Sequence, residues 1–504
     1  MLTFAVPAQA AEWRVEPYIG VEESYSTNIG GDADDEEGGF VTDVSPGISI
    51  RGTGRRLKLY ADYSPSILFY HSDSDRNRTD HTLSGNGSLE AIENFFFIDA
   101  RANISQQFLS PTGARPTSNT SDTNNRYEAS SYSISPYIRG YLFGDNQYMV
   151  RNENIWSDTG SVSGTTEELT GIYTNRTTAR FDTPIPVYGF SLEYDKRHTE
   201  EDGAEDIDTQ IGRAIFHYRI EQNLVLSARV GYEDDDYGDV QREGDVWGVG
   251  LKWNPTPRTS VDGYWEDHYY GSSYFARVEH RRPRSAFQVL ASRGIQTFDG
   301  NLNSSSGMTN SELASLILSD PRYGFNPAQI RALVPALAST WGNPNAIAPG
   351  NLFTNQAQLV QRFEAVAMTI GVRNTAALKL FMSKTEDIAG QGFSVPIPGF
   401  GSSLDTPELV TAETVEDRGI QLSLSHKLTT LSSLTASATR TYTDTENDED
   451  SIETTQDDFD LRLTRKLGPK TNGFAGARYS IFNSDFGDSD YNETEIFAGF
   501  HHRF

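Results

Sequence analysis

From Trp13 onward the chain alternates. Trp13, Val15, Pro17, Ile19 and Val21 interleave with Arg14, Glu16, Tyr18, Gly20 and Glu22. Leu57, Leu59, Ala61, Tyr63, Pro65, Ile67 and Phe69 repeat the pattern, as do Trp247, Val249, Leu251 and Trp253, then Phe459, Leu461 and Leu463. A period of two sends the apolar side chains to one face of an extended strand and the polar ones to the other. Such segments recur about 22 times (range roughly 18–22), from 13–26 to 487–504, with the weakest alternation at 79–92 and 376–386. One chain with this many two-faced strands must find a place for all the apolar faces at once.

The connections narrow the choice. Short turns such as RGTGRR, FGDN, RRPRS and LGPKTN alternate along the chain with long loops, among them Thr27–Gly38, the stretch after Ser110, 298–358 and 386–412. Only the turn at Tyr270-Gly271-Ser272 is short where a long loop is due. Charge follows the same parity: TNIGGDADDEEG holds five acids and no base, TEEDGAEDID six acids, and DTENDEDSIE six. A soluble sandwich or propeller has no reason to sort its loops this way. An outer-membrane barrel does, with tight periplasmic turns and long extracellular loops. The expected fold is therefore all-β: a transmembrane, antiparallel up-and-down β-barrel with long acidic extracellular loops and one partly helical loop.

The totals agree. Aromatics make up 11 % of the residues, yet mean hydropathy is −0.52. No run approaches the ~18 apolar residues of a spanning helix, a test that barrel strands escape because only alternate residues meet lipid. The formal charge of −28 argues against nucleic acid, whose phosphates need a basic surface. With no cysteine there is no disulfide, thiolate metal site or cysteine nucleophile.

Residues 1–11 end in the A-x-A pattern Ala8-Gln9-Ala10 and are expected to be the remnant of a signal peptide, with a casual Ala-rich start as the alternative. Residues 12–504 then form a single barrel. Within 298–358, Ser311–Leu318 and Pro327–Leu337 have helical signals, a Ser cap and a first-turn Pro. This loop is expected to lie outside the cell or fold into the lumen.

Catalytic patterns are missing. No phosphate-binding loop, H-E-x-x-H or nucleophile elbow occurs in the right context, so no enzyme is expected. Asp444-x-Glu446-x-Asp448-x-Asp450 spaces acids like a calcium loop but lacks the Gly and Glu that complete one. No cofactor is expected beyond loose Ca2+ or Mg2+ bridging the acidic loops to lipopolysaccharide. With the apolar face outward, the lumen would receive Arg14, Glu16, Tyr18, Arg101, Arg139, Arg151, Arg176, Arg180, Glu193, Arg213, Arg229, Tyr264, Arg277, Glu279 and Arg462. Arginines among carboxylates and tyrosines make a wet wall able to hydrogen-bond and stack against sugar. The plainer reading is that they pair with one another and only fill the barrel.

The stretch Trp247–Leu290 carries a more specific signal. Its WNPTPRT turn (Trp253–Thr259), the run Tyr270-Gly271-Ser272, and His280-Arg281 followed by Arg284 and Ala286 resemble the PEP-CTERM-system-associated outer-membrane β-barrel family. That resemblance implies a barrel tied to exopolysaccharide production in the outer membrane of a Gram-negative bacterium. The leading expectation is a passive conduit for secreted polysaccharide. The alternatives are a diffusion porin for small hydrophilic solutes, and a structural barrel whose acidic loops bind cations or partners. Expected partners are outer-membrane lipid and lipopolysaccharide, the insertion machinery, and a periplasmic export protein. The chain's closing residues FAGFHHRF put Phe500 and Phe504 on one strand face. They are the expected closing seam and insertion signal, since a barrel's last strand must pair with its first.

Overall fold

The computed structural model describes residues 12–31, 36–108, 110, 112–116, 118–123, 125–159, 169–201, 205–238, 240–296, 358–388, 393–397, 408–446, 451–485 and 490–504. The signal-peptide remnant at 1–11 and the helices expected within 298–358 lie outside the described residues. Among the described residues there is no α-helix, only a single 3-10 turn at Ser74–Arg76.

Twenty-two strands form one antiparallel sheet, each bonded to its neighbour in sequence. The first, β1 (Glu12–Ser26), bonds in turn to the last, β24 (Tyr491–Arg503), so no edge is left open. Both weakly alternating segments are barrel strands, at Arg78–Ile92 and Asn374–Asp387 (β17). The sequence did not announce a short hairpin of β18 (Phe393–Ile397) and β19 (Glu408–Ala412), which pairs apart from the barrel between β17 and β20 (Thr414–Lys427). An even strand number brings the start of β1 and the end of β24 to the same rim, the one made of short turns.

At the seam Tyr18–Ser26 pairs with Arg503–Glu495, while the first residues of β1 run past the end of β24 and pair only with β2 (Gly39–Thr53). A 14-residue strand such as β3 (Leu57–Tyr70) is about 46 Å long, and at a tilt near 40° it rises about 35 Å. That height covers a hydrocarbon core with some wall to spare.

The alternation sorts the side chains as the pattern demands. Trp247, Val249, Phe216, Leu422 and Ile496 are each more than half exposed on the outer face. Between them, inward positions carry charged and polar residues interspersed with aromatic rings such as Phe97 and Phe497. Among the described residues an apolar cluster lies near the long-loop rim, where Ile29, from the loop after β1, meets Val41, Leu68 and Tyr70. The tight turn between β13 (Thr259–His268) and β14 (Gly271–Arg282) needs its glycine, because Gly271 has φ +90°. That conformation lets β13 and β14 join through two residues on the long-loop side.

Candidate functional site: the inner wall and a strap across the seam

Inward positions of neighbouring strands stand side by side, so long side chains stack across the sheet. Three places share one arrangement, an arginine, two aromatic rings and a second arginine in sequence. On β5 (Phe96–Phe108), β6 (Arg126–Leu142) and β7 (Asn146–Thr159), Phe97 and Tyr137 stack at 5.0 Å. The Arg139 guanidinium lies 4.3 Å over Phe97, and that of Arg151 lies 4.2 Å over Tyr137. Farther round, Arg229 sits 4.3 Å over Tyr264, which stacks on Phe275 at 6.0 Å, with Arg277 beyond at 5.3 Å. On β22 (Ser451–Lys466), β23 (Thr471–Ser484) and β24, Arg462 lies 3.9 Å over Phe474 and Arg478 4.0 Å over Phe497. The three stacks stand about a third of the circumference apart.

Glycine makes room for these rings. A Cβ at Gly476 would lie 2.5 Å from the Phe497 ring, so the aromatic lies flat over the glycine of the adjacent strand. Tyr18 crosses Gly47 in the same way and donates to Asp62 at 2.9 Å. Sandwiched rings and guanidiniums hold one another in place, each exposed cation–π pair adding about 0.5–1 kcal/mol.

The remaining candidate residues form ion pairs, most across strands and two within a strand. Arg176 meets Asp195 at 2.8 Å, and Arg180 meets Glu193 at 3.0 Å. Arg213 and Arg229 converge on the buried carboxylate of Glu266, at 3.2 and 2.8 Å. Glu266 also faces His268 at 3.3 Å, and His268 reaches Glu233 at 2.7 Å. Glu279 pairs with Arg281, Arg101 stands 3.9 Å from Glu153, and Arg14 pairs with Glu16 on the overhang of β1 at the short-turn rim. The wall is charged but largely self-neutralised. Phe500 faces outward opposite Val21 of β1, and the Phe504 amide donates to the Pro17 carbonyl.

At the low point of the long-loop rim, Tyr237 and Tyr269 share a 2.8 Å hydroxyl contact, and both donate to Asp235. Burial, together with the Asp235 carboxylate, pushes both phenols far above their ordinary range.

The feature that sequence reasoning missed is the loop between β5 and β6, which the alternation marked only as long. It lies against the inside of the barrel. Asn125 ties its neck, accepting from the Ser110 amide at 2.6 Å and donating to the Ala114 carbonyl. Arg115 then reaches β20, where its guanidinium meets Asp417 at 2.9 Å, while its backbone exchanges two hydrogen bonds with Gln456 of β22. Thr120 donates to Glu495 at 2.6 Å and Ser121 to Glu493 at 2.9 Å, both on β24. On the other side of the closure, the Asp122 amide donates to the Ile29 carbonyl, and its carboxylate takes Arg78. The segment is therefore a strap laid across the β1–β24 seam, held from both sides. The clue available in the sequence was its density of small hydroxyl residues (Ser118, Thr120, Ser121, Thr123) around a single acid, Asp122.

No family model matches this chain, and no curated protein matches it. Among solved structures, the siderophore receptor PirA from Pseudomonas aeruginosa aligns over 97 % of this chain and 80 % of its own, at 12 % identity and a TM-score of 0.39. The outer-membrane protein opdK from the same organism aligns over 97 % and 99 %, at 10 % identity and a TM-score of 0.37. OccAB2 from Acinetobacter baumannii aligns over 97 % and 98 %, at 9 % identity and a TM-score of 0.33. The fold of the present chain is defined by its own closed strand pairing rather than by these likenesses.

Proposed function

We propose that this protein is a channel of the Gram-negative outer membrane, and that its passenger is a hydrated exopolysaccharide leaving the cell. The observation that carries the reading is the division of the two faces: exposed Trp, Phe, Leu, Ile and Val outside, and paired or stacked Arg, Glu, Asp and Tyr inside. An outer face of that kind is stable against lipid and a liability in water.

The inner wall supports that passenger. Twenty-two strands spaced ~4.8 Å apart and tilted about 40° define a backbone radius near 22 Å before loops are counted. The strap narrows that space on the seam side. Arginines already neutralised by carboxylates and clamped on aromatic rings offer many weak hydrogen bonds and no deep charged trap. A chain of sugars can exchange such contacts as it slides. The likeness of Trp247–Leu290 to the PEP-CTERM-associated barrels supports the same passenger.

The test combines deletion with reconstitution. Deleting the gene should abolish surface polymer and leave small-solute uptake unchanged, and bilayer current through the purified barrel should be blocked by long oligosaccharides of the host polymer. Normal polymer in the deletion strain removes the export reading. Ordinary ion conductance indifferent to oligosaccharide establishes the second reading, a diffusion channel, which the narrowing by the strap favours.

A further inference from the structure

The short-turn rim is divided by charge. Five consecutive turns, starting with the one that joins β12 (Gln241–Thr256) to β13, carry only cations. They hold Arg258, then Arg282 and Arg284, and Arg373 after those. Next come Lys427, and finally Lys466 with Lys470, and Arg503 follows at the seam. No Asp or Glu interrupts these turns, every one of these cations is exposed, and none pairs with a carboxylate among the described residues. The four turns of the opposite arc (92–96, 142–146, 182–188 and 221–224) hold Glu93, Asp145, Asp182 and Glu221 and no Lys or Arg. At one border Arg55 and Arg56 both pair with Glu93, so the switch of sign is abrupt.

The basic turns form one continuous surface. Each is bonded to the next through the backbone: Arg281 N to Arg258 O at 2.9 Å, Ile370 N to Arg284 O at 2.7 Å, Lys427 N to Arg373 O at 2.7 Å. Lys466 N to Leu431 O at 2.8 Å and Arg503 N to Lys470 O at 2.9 Å complete the arc. Like charges packed along a rigid edge repel and gain nothing for the fold. Exposed apolar tips occur on both arcs, Val372 on the basic one and Phe143 on the acidic one, as a membrane interface requires on every side. The charge, by contrast, is one-sided.

We propose that this arc docks the acidic face of a periplasmic protein, which thereby sits off-centre beneath the channel mouth. The inference rests on the reading above, in which short turns face the periplasm. A lipid headgroup layer surrounds a barrel evenly and would favour cations all round. A protein docks on one side, and an arc that is basic opposite one that is acidic orients it.

The test uses the full chain in phosphatidylcholine nanodiscs, titrated with a labelled 20-residue poly-glutamate as the probe. Saturable binding is expected at low salt, weakening at least tenfold at high salt. The variant Arg284→Gln/Arg373→Gln/Lys427→Gln/Lys470→Gln should lose at least tenfold, the milder Arg373→Gln/Lys470→Gln should lose less, and Asp145→Asn should lose nothing. In the native host, a photo-crosslinker at Val372 should give a protein adduct that the quadruple variant abolishes, whereas one at Phe143 should give none. Equal binding by wild type and both arginine–lysine variants overturns the proposal. So does loss of peptide binding when phosphatidylglycerol is added to the disc, which would make the arc a headgroup site. Should the barrel fail to enter the discs in heat-modifiable form, the channel reading falls with it; should it enter and not bind, only the arc falls.

Discussion

The strap is held to the far wall by one buried ion pair and by two hydrogen bonds between the Arg115 backbone and Gln456, and removing the ion pair should loosen that end. Arg115 and Asp417 meet at 2.9 Å with side chains 10 % and 1 % exposed. Truncating one partner of a buried pair costs about 3–5 kcal/mol, because the other charge is left without compensation. The lower end applies to Arg115→Ala, since Asp417 keeps the Thr443 hydroxyl at 2.6 Å. About 3 kcal/mol corresponds to about 150-fold in the equilibrium between the seated and lifted strap. The chain has no cysteine, so Ser118→Cys supplies a single thiol at a position that is buried under the strap's own bonds to Glu495 and Arg478. Maleimide labelling of reconstituted Ser118→Cys should be slow, and adding Arg115→Ala should speed it by about two orders of magnitude if opening precedes reaction. Arg115→Lys should fall between, since a point charge replaces the guanidinium fork. Single-channel current should rise with the labelling rate. Equal labelling rates in the two proteins would refute the argument, for the strap would then be held by the Gln456, Glu493 and Glu495 contacts without help from the ion pair.

Four further outcomes follow from the same geometry. Gly476→Val puts a Cβ 2.5 Å from Phe497 and 2.3 Å from the Leu461 carbonyl, and should lower the stability measured by urea titration in vesicles by at least the 1–3 kcal/mol of an overpacked site. Leu422→Arg, on the outer face, should cost about 2–4 kcal/mol in the same assay if that face meets lipid at mid-depth, and almost nothing if it meets water. Phe500→Asp should slow appearance of the heat-resistant folded band during assembly, with Phe474→Ala, an inner-wall change, as the comparison. The phenols of Tyr237 and Tyr269 titrate above their unfolded value. Their contribution is therefore complete below pH ~10 and lost as pH rises beyond it. Absorbance at alkaline pH should show these two phenols within the late-ionising fraction, and Tyr237→Phe should lower that fraction by one tyrosine.

Much of the wall could be read from alternation alone, because period two is a local property of the strand. The pairs Trp13/Arg14 and Trp247/Gly248 already say which side chain goes out. Arg139, Arg151, Arg229, Tyr264, Arg277 and Arg462 could likewise be assigned a face from spacing. Their partners could not. The stack of Arg462 on Phe474 depends on the register of β22 against β23, and register is set between strands, not within one. The same holds for Glu266, which collects Arg213 and Arg229 from two other strands.

The sequence by itself determined that these are two-faced strands, how many there are within a few, and which ends carry long acidic loops. Each of those is written in neighbouring residues. Only the tertiary structure decided what lies inside. Arg115 finds Asp417 across 302 positions and Ser121 finds Glu493 across 372, contacts that exist only once the first strand has met the last. The split of the short-turn rim into a basic and an acidic arc is likewise invisible along the chain, where the turns are separated by whole hairpins. Closing the barrel sets those turns edge to edge, and a scatter of single charges becomes a surface.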